Sequence, residues 1–216
     1  MDKTAINDCR LYGFIDTAYL AGRDPGNLTE QLIAGGVDII QVRAKKEKFS
    51  KLLKLARAVV QAAKDSPVPI IINDNIEVAY KAGADGVHLG QEDWAALPPH
   101  DRHQRLIGLT ILGLSTHSLR QAQTSERDGA NYIGVGPIFP TGTKPGRAPV
   151  GVELVQQAVA HVATPFFAIG GITLDNLDAV LAAGATRIAV VSAILNAPDV
   201  AAAARKFKER LEAKPA

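Results

Sequence analysis

Cysteine is almost missing from this 216-residue chain, with Cys9 the only one. An intrachain disulfide is therefore excluded, and so is any metal cluster built on several thiolates. A reducing cytoplasm fits such a composition. Charge of one sign is also scarce: the formal net charge is +2. That is too small to suggest nucleic acid as the main partner. No apolar run approaches the roughly 18 residues that would span a bilayer, so no membrane is expected. The start, Met1 to Arg10, is polar, and the apolar stretch after it is broken by Asp16 and Arg23. This does not read as a signal peptide. What is abundant is apolar material, 47% of residues, with 21% charged residues spread along the chain. That balance suits one globular domain over 1–216 with a sizeable core.

Four segments resemble one another: Ala34-Gly-Gly-Val-Asp-Ile-Ile, Ala82-Gly-Ala-Asp-Gly-Val-His, Asp128-Gly-Ala-Asn-Tyr-Ile-Gly and Ala183-Gly-Ala-Thr-Arg-Ile-Ala. In each, a helical stretch ends at a glycine suited to the left-handed position that closes a helix, and a β-rich run follows. Taking Gly35, Gly83, Gly129 and Gly184 as markers, the spacings are 48, 46 and 55 residues. Each interval has room for a second strand–helix unit. The intervening strands are expected at Leu11 to Asp16, Pro69 to Asn73, Leu109 to Ser115 and Pro165 to Ile169. Ser50 to Lys64 carries Leu52, Leu53, Ala56, Val59 and Val60 on one helical face, and Asp199 to Ala213 supplies a last amphipathic helix. Eight strands, each with a helix after it, leave a closed barrel or an open doubly wound sheet. A doubled repeat along the whole chain favours the single-domain parallel (β/α)8 TIM barrel, near its lower length limit.

Active sites of such barrels lie at the C-terminal strand ends, so polar residues that end an apolar strand are the ones to question. Gln41, Arg43 and Lys45 follow the second strand, and Asn73 and Asp74 the third. His88, Gln91 and Asp93 follow the fourth, Ser115 and His117 the fifth, and Thr141, Thr143 and Lys144 the sixth. Gly170 and Gly171 follow the seventh strand, and Ser192 the eighth. Gly170-Gly171 ahead of a helix, paired with the turn at Val191-Ser192, suits a phosphate, because backbone N–H groups and a helix N-terminus supply donors. Arg43, Lys45 and Lys144 suit a more highly charged anion. Asp74 and Asp93 are hard oxygen donors for Mg²⁺ completed by substrate phosphates. The plain alternative for either aspartate is a helix cap. For Lys46, Lys48 and Lys51 it is a solvated helix face. His88, between Val87 and Leu89, is expected inside the barrel with a structural hydrogen bond. Trp94 and Tyr132 read as packing residues. Ser115 and His117, two residues apart on a strand end, are no triad by themselves.

These motifs resemble the thiamine phosphate synthase family from Leu11 to the final helix. The carriers are Gln41-Val-Arg-Ala-Lys45, Ile72-Asn-Asp74, Ala84-Asp-Gly-Val-His-Leu-Gly-Gln-Glu-Asp93 and Leu114-Ser-Thr-His-Ser118. Gly134-Val-Gly-Pro-Ile-Phe-Pro-Thr-Gly-Thr-Lys144, Ala168-Ile-Gly-Gly-Ile172 and Ala189-Val-Val-Ser-Ala-Ile194 complete them. The resemblance implies a transferase that joins an aminopyrimidine diphosphate to a thiazole phosphate, releasing pyrophosphate by a dissociative route. It implies that Gln41, Arg43, Lys45, Asn73, Ser115 and Lys144 bind the pyrimidine diphosphate, with Arg43, Lys45, Lys144 and Ser115 catalytic and Val42 and Ala44 also counted among the substrate-binding residues. Thr141, Gly142, Thr143, Gly171, Val191 and Ser192 would take the thiazole phosphate, and Asp74 and Asp93 would hold Mg²⁺. The partners are then two phosphorylated small molecules, and a homo-oligomer is allowed.

The chain departs from the family pattern in two places. Ala44 stands where an acidic residue is expected, though alternation points it away from 43 and 45. Gly142 replaces a larger residue between the two threonines. Pro145 to Pro149 reads as a lid whose Arg147 could reach a phosphate. The rival readings are a thiazole tautomerase using His117, a non-catalytic binding protein, and a phosphosugar enzyme of the same fold.

Overall fold

The computed structural model describes residues 3–102, 104–142, 146 and 148–213. Eight parallel strands pair in sequence order and the eighth returns to the first, closing a barrel. They are β1 (Leu11–Asp16), β2 (Ile39–Arg43), β3 (Ile70–Asn73) and β4 (Gly86–Leu89), then β5 (Ile111–Thr116), β6 (Tyr132–Val135), β7 (Phe166–Ile169) and β8 (Ile188–Ala189). The intervening helices are α1 (Pro25–Ala34), α2 (Phe49–Ala62), α3 (Ile76–Ala82) and α4 (Gln91–Ala96). After them come α5 (Leu119–Arg127), α6 (Glu153–His161), α7 (Leu177–Ala182), α8 (Ser192–Leu195) and α9 (Val200–Glu212). The barrel expected from the doubled repeat is present. No described helix is long and apolar enough to cross a membrane.

The period-two alternation of each strand splits the apolar residues into two cores. Ile15, Val42, Ile72, Val87, Leu114, Ile133 and Ala168 face outward into a layer shared with the helices. Tyr12, Phe14, Ile39, Ile71, Ile111, Tyr132, Phe167 and Ala189 fill the barrel itself. Helix α2 meets the outer layer through Leu52, Leu55, Ala56 and Val59, one stripe at helical spacing. Leu53 and Val60, expected on that stripe, are only partly buried beside it.

The repeat has a mechanical meaning. The left-handed residues are Gly36, Gly83, Gly129 and Gly184, with φ of 83°, 70°, 82° and 95°. In the first unit the marker is therefore Gly36 and not Gly35. Gly35 instead lets α9 approach, since a Cβ there would stand 2.6 Å from that of Ala204. Two residues after the first three of these glycines come Asp38, Asp85 and Asn131. Each side chain accepts the backbone N–H of a residue at the start of the preceding odd strand: Leu11 at 2.9 Å, Ile70 at 2.7 Å and Leu112 at 2.7 Å. Such bonds contribute about 1 kcal/mol each and set the stagger of neighbouring strands at the barrel bottom. The bottom is therefore latched, and the opposite, C-terminal end is left for polar side chains.

Candidate active site

The inward positions nearest the C-terminal strand ends converge on one open cavity of about 890 Å³, counting space open to solvent. Gln41 and Arg43 reach it from β2, Asn73 from β3, His88 from β4 and Ser115 from β5. Thr141, Gly171, Val191 and Ser192 line its other side. The structure thus brings together eight of the residues singled out for substrate. Arg43 is held from below by Asp16, whose Oδ2 accepts from the guanidinium Nη1 at 2.5 Å. Asp16 is 1% exposed and its Oδ1 also accepts the N–H of Ala18. Burying both ions is tolerable because each is paired and hydrogen-bonded.

Between the two polar sides lies an aromatic floor. Tyr12 stacks on Phe14 at 5.1 Å between ring centroids, while Phe167 meets Tyr12 and Tyr132 edge-on at 5.2 and 5.5 Å. Sequence reasoning missed Asp16, Tyr12, Phe14 and Phe167 as site residues and took Tyr132 only as core. The alternation Tyr12, Phe14, Asp16 on one strand face was the available signal. A hydrogen-bonded chain crosses this floor. Gln41 Nε2 donates to the Tyr12 hydroxyl at 2.8 Å, and the hydroxyls of Tyr12 and Tyr132 lie 2.7 Å apart. His88 places Nδ1 3.0 Å from the Tyr132 hydroxyl and Nε2 2.9 Å from Ser115 Oγ. Burial pushes both phenols well above their ordinary pKa, so both stay neutral. The inward, hydrogen-bonded His88 expected from its flanking residues is what stands here. Gly113 makes the room: a Cβ there would stand 2.2 Å from Tyr132 Cζ and 2.5 Å from His88 Nδ1.

Other expected site residues lie elsewhere. Val42 and Ala44 are buried in the outer layer, so their side chains face the helices and only their backbone is near the site. This matches the alternation argued for Ala44. Lys45 lies outside the cavity wall, at the rim, with Nζ 3.0 Å from Asp74 Oδ2. Asp74 is not the helix cap: its φ is 62°, its N–H bonds the carbonyl of His88, and Asn75 caps α3. Asp93 does not cap either, because it sits inside the first turn of α4 after Gly90. The two carboxylates follow adjacent strands, β3 and β4, whose ends pair at Asn73 and His88. Among the described residues no group of three or more metal-ligating side chains gathers. Gln91 is structural, donating to the carbonyl of Ser115 at 2.7 Å. Trp94 is buried and donates to Asp128, as expected of a packing residue. His117 lines the cavity with Nδ1 on the carbonyl of Gly136. Gly142 is exposed. Thr143, Lys144 and Arg147 lie outside the described residues, as does part of the expected 145–149 lid.

The side expected to take a phosphate differs in one respect from expectation. Gly170-Gly171 does not run directly into a helix, because α7 begins only at Leu177. Residues 172–176 form a loop pinned by Asn176, whose amide donates to the Gly171 carbonyl at 2.9 Å. Both glycines have positive φ, 101° and 66°, and pack against the loop after β6, where a Cβ would stand 2.5 Å from atoms of Pro137 and Pro140. The helix N-terminus on this side belongs to α8, which starts at Ser192.

A family model for thiamine monophosphate synthase matches residues 11–194. A thiamine-phosphate synthase of Halalkalibacterium halodurans is 42% identical over 208 residues, 96% of this chain and 97% of that protein. One of Thermus thermophilus is 45% identical over 184 residues, 85% and 87% of the two chains. The solved thiamine phosphate pyrophosphorylase of Pyrococcus furiosus superposes with a TM-score of 0.84 at 31% identity, covering 97% and 98%. A solved 3-hexulose-6-phosphate synthase shares the fold alone, at 20% identity and a TM-score of 0.63, over 92% and 98% of the two chains. With a family model matching nearly the whole barrel and relatives above 40% identity over most of their length, the chain belongs to the thiamine monophosphate synthase family.

Proposed function

We propose that this chain condenses an aminopyrimidine methyl diphosphate with a thiazole ethyl phosphate, forming thiamine phosphate and pyrophosphate. The observation that carries the reading is one cavity with two polar sides across an aromatic floor. Gln41, Arg43, Asn73 and Ser115 stand on one side, and Gly171, Val191 and Ser192 on the other. Two flat rings with a phosphate group at each end suit that shape. The resemblance assigns the pyrimidine diphosphate to the first side and the thiazole phosphate to the second, with Thr141, Gly142 and Thr143.

The reaction balances without a protein nucleophile. The bond from the pyrimidine methylene carbon to the diphosphate oxygen breaks, and its electron pair leaves with pyrophosphate. The amino group of the ring stabilises the resulting methylene cation. The thiazole nitrogen then supplies the pair that forms the new carbon–nitrogen bond. Arg43, Lys45 and Lys144 would stabilise charge that grows on the leaving group. Asp16 keeps the Arg43 guanidinium aimed at the mouth. The floor of Tyr12, Phe14 and Phe167 excludes water from the cation. Holding both rings in contact distance supplies the positional part of the rate.

Asp74 and Asp93 fit Mg²⁺ chemically: they are hard oxygen donors, one half-buried just after β3 and one exposed in the first turn of α4. Two carboxylates, with waters and substrate phosphate oxygens, are a usual set for this ion. When bound, it would neutralise charge on the departing diphosphate. A reducing cytoplasm suits a chain whose one thiol is free.

The test is pyrophosphate release by purified protein with Mg²⁺ and both substrates, with each component omitted in turn. The expected result is release that needs both substrates, stops with a chelator and equals the thiamine phosphate formed. Conversion of a thiazole phosphate tautomer in the absence of pyrimidine, with no condensation, would instead support an isomerase acting through His117, which lines the cavity.

A further inference from the structure

We propose that Tyr132 and His88 are positioning residues that orient, through one directed chain of hydrogen bonds, the two polar groups at its ends. Gln41 is thereby set to accept and Ser115 to donate toward a bound ring.

The chain has five members and crosses the barrel from β2 to β5. Gln41 gives an amide hydrogen to the Tyr12 oxygen. A neutral phenol has one hydrogen, so Tyr12 passes its own to the Tyr132 oxygen, 2.7 Å away. Tyr132 passes its hydrogen to His88 Nδ1, 3.0 Å away. The proton of the neutral imidazole must then be on Nε2, from which it is donated to Ser115 Oγ at 2.9 Å. Once Oγ accepts that hydrogen, its own hydroxyl hydrogen points to the cavity it lines. At the other end, one Nε2 hydrogen of Gln41 is committed to Tyr12, which fixes the amide and leaves Oε1 as its acceptor.

The two ends are therefore coupled. Only two arrangements of a neutral chain of this kind spend every phenol and imidazole hydrogen on a member of the chain or pass it along in one direction, and in the second every member is reversed, the Gln41 amide included. A partial reversal makes one phenol oxygen accept twice and leaves its own hydrogen without a partner in a buried site. Both phenols are fully buried, as are Gln41, His88 and Ser115 to within 8%. A ligand edge with an N–H opposite Gln41 and a lone pair opposite Ser115 fits the proposed direction. An edge with that pattern inverted meets unsatisfied groups at both ends.

This rests on the proposed function only for the kinetic part of its test. The tautomer of His88 is read first on ligand-free, ¹⁵N-labelled protein by long-range ¹H–¹⁵N correlation, with a His88→Gln variant to assign the signal. The expected result is a neutral imidazole protonated on Nε2, and loss of that preference in Tyr132→Phe. An imidazole protonated on Nδ1, or on both nitrogens, at neutral to mildly alkaline pH overturns the proposal. So does a tautomer unaffected by Tyr132→Phe. Tyr12→Phe, which breaks the chain one link earlier, is the second variant and should weaken the same preference.

In steady-state assays Tyr132→Phe should raise KM for the pyrimidine substrate about tenfold, the worth of one well-placed hydrogen bond, with a smaller change in kcat. An unchanged KM overturns the link between the chain and the ligand. If the wild-type protein shows no turnover, the function is wrong and the tautomer result still stands.

Discussion

Asp16 and Arg43 meet at 2.5 Å where β1 and β2 end, in register with each other, and both side chains are nearly closed to solvent. The pairing turns a flexible guanidinium into a fixed positive group at the mouth of the cavity. Arg43 was recognisable from its motif. Asp16 was not, because one aspartate at a strand end carries no chemistry until its neighbour is known.

Asp16→Asn should therefore harm both stability and activity. The substitution keeps a hydrogen-bond acceptor but removes the charge that balances a buried cation. A destabilisation of about 3 kcal/mol is expected, read from denaturant unfolding. Pyrophosphate release should fall with it, even at temperatures where the variant is fully folded. Wild-type stability would show that the pair is solvated in solution.

Gly113→Ala should be far more damaging than its one added carbon suggests. The methyl would have to displace the Tyr132 ring and the His88 imidazole together. Overpacking of this sort costs about 1–3 kcal/mol. A double variant, Gly113→Ala with Tyr132→Phe, should recover little, since the nearest clash is with ring carbon Cζ. Full stability of the single variant would mean that the barrel floor yields easily.

Lys144→Ala tests the motif that lies outside the described residues. If Lys144 meets the leaving diphosphate, kcat should fall ~100-fold or more, the scale of losing a preorganised charge donor. Binding of thiazole phosphate, followed by calorimetry, should change much less. Unchanged turnover at saturation with both substrates would remove Lys144 from the chemistry.

Cys9 should behave as an inert thiol in the folded protein. Burial, reinforced by Asp38, pushes its pKa up to about 12. Alkylation at mildly alkaline pH should proceed only as fast as the chain unfolds, so its rate reports opening. The same burial gives a stability trend. Cys9, Tyr12 and Tyr132 all have folded pKa values above their unfolded ones. Each contribution is complete below the unfolded pKa and is lost as pH rises past it. The unfolding midpoint should start to drop near pH 9, the ordinary value for a thiol, and drop faster above pH 10, that of a phenol. Cys9→Ala should remove the first part of that decline.

Much of this molecule was determined by local sequence. Alternation on the strands, the apolar stripe of α2 and the repeated glycine with its polar follower are properties of short segments. Together they specify eight strand–helix units and put Asp38, Asp85 and Asn131 two residues after a left-handed glycine, while the bonds these side chains make to the preceding strand form only in the paired sheet. Polar residues ending apolar strands likewise marked Gln41, Arg43, Asn73 and Ser115, because that position in a barrel has one destination. Tertiary structure decided what depends on closure. The register of neighbouring strands sets Asp16 beside Arg43 and Gly113 beside His88, and closure of the barrel brings Tyr12 onto Tyr132. It also decided that Lys45 and Asp74 pair at the rim and not inside the cavity. These contacts join residues far apart in the chain, and no periodicity records such a pairing. The strand pattern sets which face a side chain takes, while the stagger of the closed barrel sets which partner it meets there.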